Sequence, residues 1–196
     1  MNRPPPPDAP RALAETQAWV DRVVIGLNLC PFAKAPQVKR QVRYRVSDAS
    51  HTEALLADLL EELRRLADTL EAEIETTLLI HPQVLNDFDD YNDFLDLADR
   101  AVEELGLEGT IQVASFHPQY RFEGTTDDDL GNATNRSPYP TLHLLREDSI
   151  ERAVEAFPEA ETIFEANIGT MQRLGADGWA ALQQQCRDDA AAASAP

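Results

Sequence analysis

The sequence predicts an α/β layered single domain in which a four-stranded, mainly parallel sheet is flanked by helices. Three observations carry that prediction. Short apolar or alternating runs recur along the chain, and stretches of helical periodicity separate the first three of them. A chain of 196 residues with 43% apolar side chains can bury one sizeable core. No internal repeat and no Gly/Ser linker divides it, so one domain is expected from Arg11 to Arg187. The proline-rich residues 1–10 and the terminal DDAAAASAP (188–196) are expected to be disordered.

The elements follow in order. Leu13, Val20, Val23, Val24 and Leu27 recur at helical spacing and predict a helix from Arg11 to Leu29, stopped by Pro31. QVRYRV (Gln41 to Val46) alternates as a strand does. Ser50-His51-Thr52-Glu53 has capping-box spacing, and Leu56, Leu59, Leu60, Leu63, Ala67 and Leu70 form the stripe of the helix behind it. TTLLI (Thr76 to Ile80) suits a buried strand ended by His81-Pro82. Tyr91, Phe94, Leu95, Ala98, Val102 and Leu105 mark a third helix closed near Gly106. Gly109 opens a strand, TIQVASF, that again ends in His-Pro. After a long polar segment comes a fourth strand, TLHLLRE, whose direction the pattern leaves open. A helix capped near Asp148 follows, then two more, with Gly175 as the stop between them.

Charge and cysteine content narrow the function. Acidic residues outnumber basic ones 35 to 17, a formal charge of -18, which repels phosphate backbones and disfavours nucleic-acid partners. No apolar run approaches a membrane span, and MNRPPPPDAPR lacks the apolar region of a signal peptide. Cys30 and Cys186 are too few for a disulfide scaffold, so a cytoplasmic location is expected.

Candidate chemistry gathers around the segment Ile111 to Glu147, because so long a loop inside a compact domain is usually functional or disordered. Proline forces the residue before it into an extended conformation, so His81 and His117 are both presented at strand carboxyl ends. That is where open α/β sheets bind ligands. The alternative is a pair of histidines satisfied by backbone carbonyls. His143 lies mid-strand among leucines, as a neutral core histidine or a ligand. His81, His117 and His143 would together supply the three protein ligands of an open divalent-metal site, though none has the spacing of a helix-borne motif. Cys30, in LCPFAKAP beside Lys34, is a candidate nucleophile or further ligand; a lowered thiol pKa is expected there, against a buried structural cysteine. Pro36 is expected to block a helix after it, which removes a thioredoxin-like reading of C-P-F-A. Asn135 and Arg136, with a nearby Arg146, are candidates to grip an anion, and Tyr120 to line the pocket. DFDDYND lacks the glycine and spacing of a calcium loop, and no elbow motif surrounds Ser115.

CPFAKAP, TTLLIHP, DFLDLA, IQVASFHPQYRF, NATNRSPYPTLHLLRE and NIGTMQRLG together resemble the bacterial family known as domain of unknown function 1415, over roughly Leu13 to Trp179. The resemblance implies a soluble domain and carries no activity with it. The expected function is therefore a small-molecule enzyme acting on an anionic substrate, with His81, His117 and Cys30 as its reactive groups. The alternatives are a non-catalytic module for an anionic metabolite and an acidic protein-interaction scaffold.

Overall fold

The computed structural model describes residues 8–156 and 162–193. Helix α1 (Ala9–Trp19) starts at Asp8, whose carboxylate accepts the Arg11 N–H at 3.0 Å, and Pro10 costs nothing in the first turn. It runs straight into a π-helical turn, Val20–Ile25, closed by the Gly26 N–H donating to the Asp21 carbonyl. Only glycine fits at 26, since a Cβ there would collide with the Arg22 carbonyl. The single helix expected from the periodicity thus has two windings. Helix α2 (Lys34–Lys39) forms in spite of Pro36, which sits in its first turn where no intrahelical N–H bond is lost.

Strand β1 (Val42–Val46), helix α3 (Thr52–Asp68), strand β2 (Thr76–Ile80), helix α4 (Phe88–Glu104) and strand β3 (Ile111–Phe116) follow as expected. His51, one residue later than the capping-box spacing suggests, caps α3 by accepting the Ala54 N–H at 3.3 Å. A turn of 3-10 helix (Leu130–Asn135) interrupts the long loop before β4 (Thr141–Arg146). Helix α5 (Glu147–Glu155) leaves β4 without a linker, and α6 (Ile163–Ala193) bends at Gly175, where φ is 71°. Residues 188–193, expected as tail, are helical: Ala190 is buried, and Asp189 takes the Arg22 guanidinium. Of the proline-rich start, 9–10 belong to α1 and 1–7 lie outside the described residues, as do 194–196.

The sheet order is β1-β2-β4-β3. β1 and β2 are parallel, whereas β4 runs antiparallel to both β2 and β3. The sheet is mixed, not mainly parallel. The cause is the connection between β3 and β4. Without a crossover helix the chain re-enters the sheet at the end it left, so β4 must run back along β3. It also separates β2 from β3, which keep the same direction. Alternation then divides the core in two. Leu79, Leu142, Leu144 and Ile111 pack against α3 and α4. On the other face Leu78, Tyr44 and Phe116 meet α1, the π turn and α6 through Trp19, Val23 and Met171. Arg43 of β1 is tied to the buried Glu62 of α3 by two bonds, of 2.6 and 2.8 Å.

Candidate functional site

The two His-Pro strand ends do come together. His81 and His117 continue the α3/α4 face of β2 and β3, are fully buried, and both pack against the Tyr91 ring, with centroids 5.7 and 5.0 Å away. The Tyr91 hydroxyl donates to the Thr141 carbonyl at 2.8 Å and accepts the Phe116 N–H at 3.1 Å, which binds α4 to β4 and β3. Leu85 adopts a left-handed conformation (φ 55°) in the turn after β2. The carbonyls of Val84 and Leu85 meet the two imidazoles. His81 donates from Nδ1 to Val84 at 3.0 Å. The Gln119 N–H donates to Nδ1 of His117 at 3.0 Å, which puts the proton on Nε2 for donation to Leu85 at 3.2 Å. Burial holds both rings neutral, pushing His81 down to about 4 and His117 in the same direction. Nε2 of His81 is sealed from solvent and has no partner among the described residues.

Beside these rings lies a polar cleft of about 340 Å3, between Asp87, Phe88 and Asp89 and the loop residues Gln119, Arg121, Asp127 and Arg136. Its cations are engaged. Arg121 pairs with Asp127 at 2.9 Å and Asp89 at 3.3 Å. Arg136 donates to the carbonyls of Tyr120 (3.1 Å) and Asp127 (2.7 Å), and burial lowers its pKa. Asn135 donates to the Ser115 carbonyl at 3.3 Å, and Tyr120 packs between Phe88 and Phe122. The buried Asn132 accepts from the Phe122 N–H and the Thr125 hydroxyl and donates to the Thr126 carbonyl, so the loop is largely bonded to itself. Arg146 is not part of this group. It sits at the far end of β4, roughly 20 Å of strand away. There it clamps the end of α3 by donating to Leu66, Thr69 and Ile74 carbonyls at 2.7–3.2 Å.

The opposite face of the sheet holds a cavity of about 290 Å3. Its floor is Leu78, Ala114, Phe116, His143 and Leu145; Trp19, Val20 and Val24 form one wall. Cys30, Phe32 and Pro36 close one side, and Ser149, Ile150 and Ala153 of α5 the other. Most of the lining is apolar, and Cys30, Glu75, Thr76, His143, Arg146 and Ser149 are its polar members. The tautomer of His143 follows from its neighbour. The Thr76 hydroxyl donates to the Leu144 carbonyl at 2.6 Å, so it can only accept from His143, whose Nε2 lies 2.7 Å away. The proton is therefore on Nε2, and Nδ1 carries the lone pair. Burial pushes this imidazole down to about 4.

A family model described as "Protein of unknown function (DUF1415)" matches residues 11–181. The chain belongs to the DUF1415 family. No curated protein and no solved structure matches it. The span shared with DUF1415 takes in the strand-end histidines, the polar cleft and every wall of the cavity.

Two expectations about this DUF1415 chain change with the fold. His143 faces away from His81 and His117, because its register partners Leu78 and Ala114 lie on the α1/α6 face. The three histidines do not form one site, and among the described residues no three His, Cys, Asp or Glu side chains are grouped to hold a metal ion. Cys30 shares a cavity with His143 instead. Its thiol pKa is raised by burial, only partly offset by the N–H groups of Phe32 and Ala33, and Lys34 beside it is exposed. The cavity itself was missed. Its one sequence signal is a small residue, Ala114, in the strand that pairs with His143, which leaves room beside the ring. No helix among the described residues is long and apolar enough to cross a membrane.

Proposed function

We propose that this protein binds a small, mainly apolar molecule in the cavity between the sheet, the Cys30 segment and α5. The observation that supports this reading is a cavity of about 290 Å3 whose walls are apolar apart from a few groups such as His143 and Cys30. At roughly 30 Å3 per heavy atom, the share of a water molecule in the liquid, it takes about ten non-hydrogen atoms. A neutral imidazole and a protonated thiol favour binding over nucleophilic chemistry. They also favour a neutral ligand, since the one cation bordering the cavity, Arg146, is taken up by the carbonyls of Leu66, Thr69 and Ile74, and Glu75 borders it too. Heptyl methyl ether is a suitable apolar probe. It should bind the wild-type protein in calorimetric titration. Ala153→Phe, placed at the half-buried α5 wall, should weaken binding at least tenfold while leaving the thermal unfolding midpoint nearly unchanged. Absence of binding, or equal binding to the variant, overturns the reading.

The unpartnered Nε2 of His81 favours a second reading, an enzyme at the strand ends. In it His81 and His117 are the acid/base groups, and Asn135, Arg136 and Tyr120 hold an anionic substrate over the polar cleft. Inorganic phosphate should then shift the NMR resonances of the Arg136 Nε–H and the His117 ring. If millimolar phosphate moves neither, this reading is discarded.

A further inference from the structure

We infer that the ligand of the apolar cavity is a neutral molecule carrying one hydrogen-bond donor, an alcohol or a phenol, and that it donates to Nδ1 of His143. The inference rests on the proposed cavity-binding function and adds the polar end of the ligand. Glu75, Arg146 and Ser149 border the cavity; Arg146 is spent on the carbonyls of Leu66, Thr69 and Ile74, and the Ser149 hydroxyl accepts from Arg152. For three other polar side chains of the lining, Thr76, Cys30 and His143, the bonding can be followed one by one. The Thr76 hydroxyl spends its proton on the Leu144 carbonyl and accepts from His143 Nε2. The Cys30 sulfur is approached by the N–H groups of Phe32 and Ala33. Of these three, the imidazole keeps a strong, unused acceptor, the Nδ1 lone pair, which the Thr76 bond fixes in that role by assigning the ring proton to Nε2.

Position agrees with this role. His143 lies on the cavity side of β4, in register with Leu78 and with Ala114, whose methyl leaves space beside the ring. Nδ1 takes no hydrogen bond from a described residue, yet it is not among the sealed, unpartnered atoms as Nε2 of His81 is. It is therefore reached from the cavity. An acceptor of this kind in an apolar chamber discriminates sharply. A ligand with a donor satisfies it, whereas an isomer without one covers it and leaves it unbonded. A carboxylate presents only acceptors to the lone pair, and the guanidinium of Arg146, which borders the cavity, is already spent on the carbonyls of Leu66, Thr69 and Ile74.

Octan-1-ol and heptyl methyl ether have the same atoms and nearly the same shape, and differ in the donor. Octan-1-ol should bind the wild-type chain about tenfold more tightly than the ether, the effect of one buried neutral hydrogen bond. Octanoate should bind more weakly than either. In protein labelled with 15N-histidine, octan-1-ol should move the His143 Nδ1 resonance, and the ether should leave it near its free position. His143→Phe should bring the two affinities together by weakening the alcohol alone; should that variant not fold, the wild-type resonance decides. Equal affinities for alcohol and ether, an unmoved Nδ1 signal, or tighter octanoate binding each overturns the inference while leaving the cavity as a binding site. Failure of the ether and the alcohol to bind at all overturns the cavity reading itself.

Discussion

His81 and His143 are both neutral for the same reason, and the consequence can be measured at His81. Unfolded, this ring titrates near its ordinary 6.5, whereas in the folded protein burial pushes it down to about 4. Between those values the unfolded chain holds a proton that the folded chain does not. Stability is therefore complete above about 6.5 and falls as the pH drops toward 4. For a ring with no exposed surface the loss over that window is about 3 kcal/mol. His117 and His143 shift the same way, so they add to the slope. Urea midpoints at pH 7.5 and 5 should show the decline, and His81→Gln should flatten it without abolishing it. An unchanged slope in that variant would place the titration elsewhere. The positive φ at Leu85 belongs to the same picture, because it accompanies two consecutive carbonyls that meet two rings.

The elements owe their ends to a few residues with special backbones. Pro36 shows that position within a helix matters more than presence. In the first turn of α2 it removes no bond, although in an interior turn it would break the helix. Gly175 marks a harder constraint. Its φ of 71° and ψ of 172° lie in a region that only glycine enters readily, and this bend lets the second half of α6 bring Trp179 and Cys186 into the core beside α1. A Cβ at 175 would meet no atom within 4 Å, so the cost of Gly175→Ala is conformational, not steric. We expect that change to lower unfolding stability by about 1–3 kcal/mol, read from denaturant titration. A neutral effect would mean that the bend relaxes.

At the scale of the whole molecule, one antiparallel strand decides where everything else can sit. Inserting β4 between β2 and β3 sends Arg146 to the opposite end from Arg136 and gives the centre of the sheet a histidine with one side toward the cavity. Most element positions and both His-Pro strand ends were legible in the sequence, as was the family, whose motifs run from roughly Leu13 to Trp179 and whose model matches 11–181. Hydrophobic period and the restriction before proline act over a few residues, so they can be read locally. The meeting of His81 and His117 was also foreseeable, since both end strands that run the same way. Other features depend on pairing between distant segments. Which face of the sheet His143 shares is set by its register with Leu78 and Ala114, and a shift of one residue would turn it to the other core. The cavity is a gap left among five elements, and a gap has no residues of its own to announce it. By itself, then, the sequence determined most of the elements and the place of His143 on a strand and of His81 and His117 at strand ends. Tertiary structure alone decided the direction of β4, the separation of Cys30 and His143 from the strand-end pair, and the chamber they share, because each is a relation between chain segments and not a property of any one.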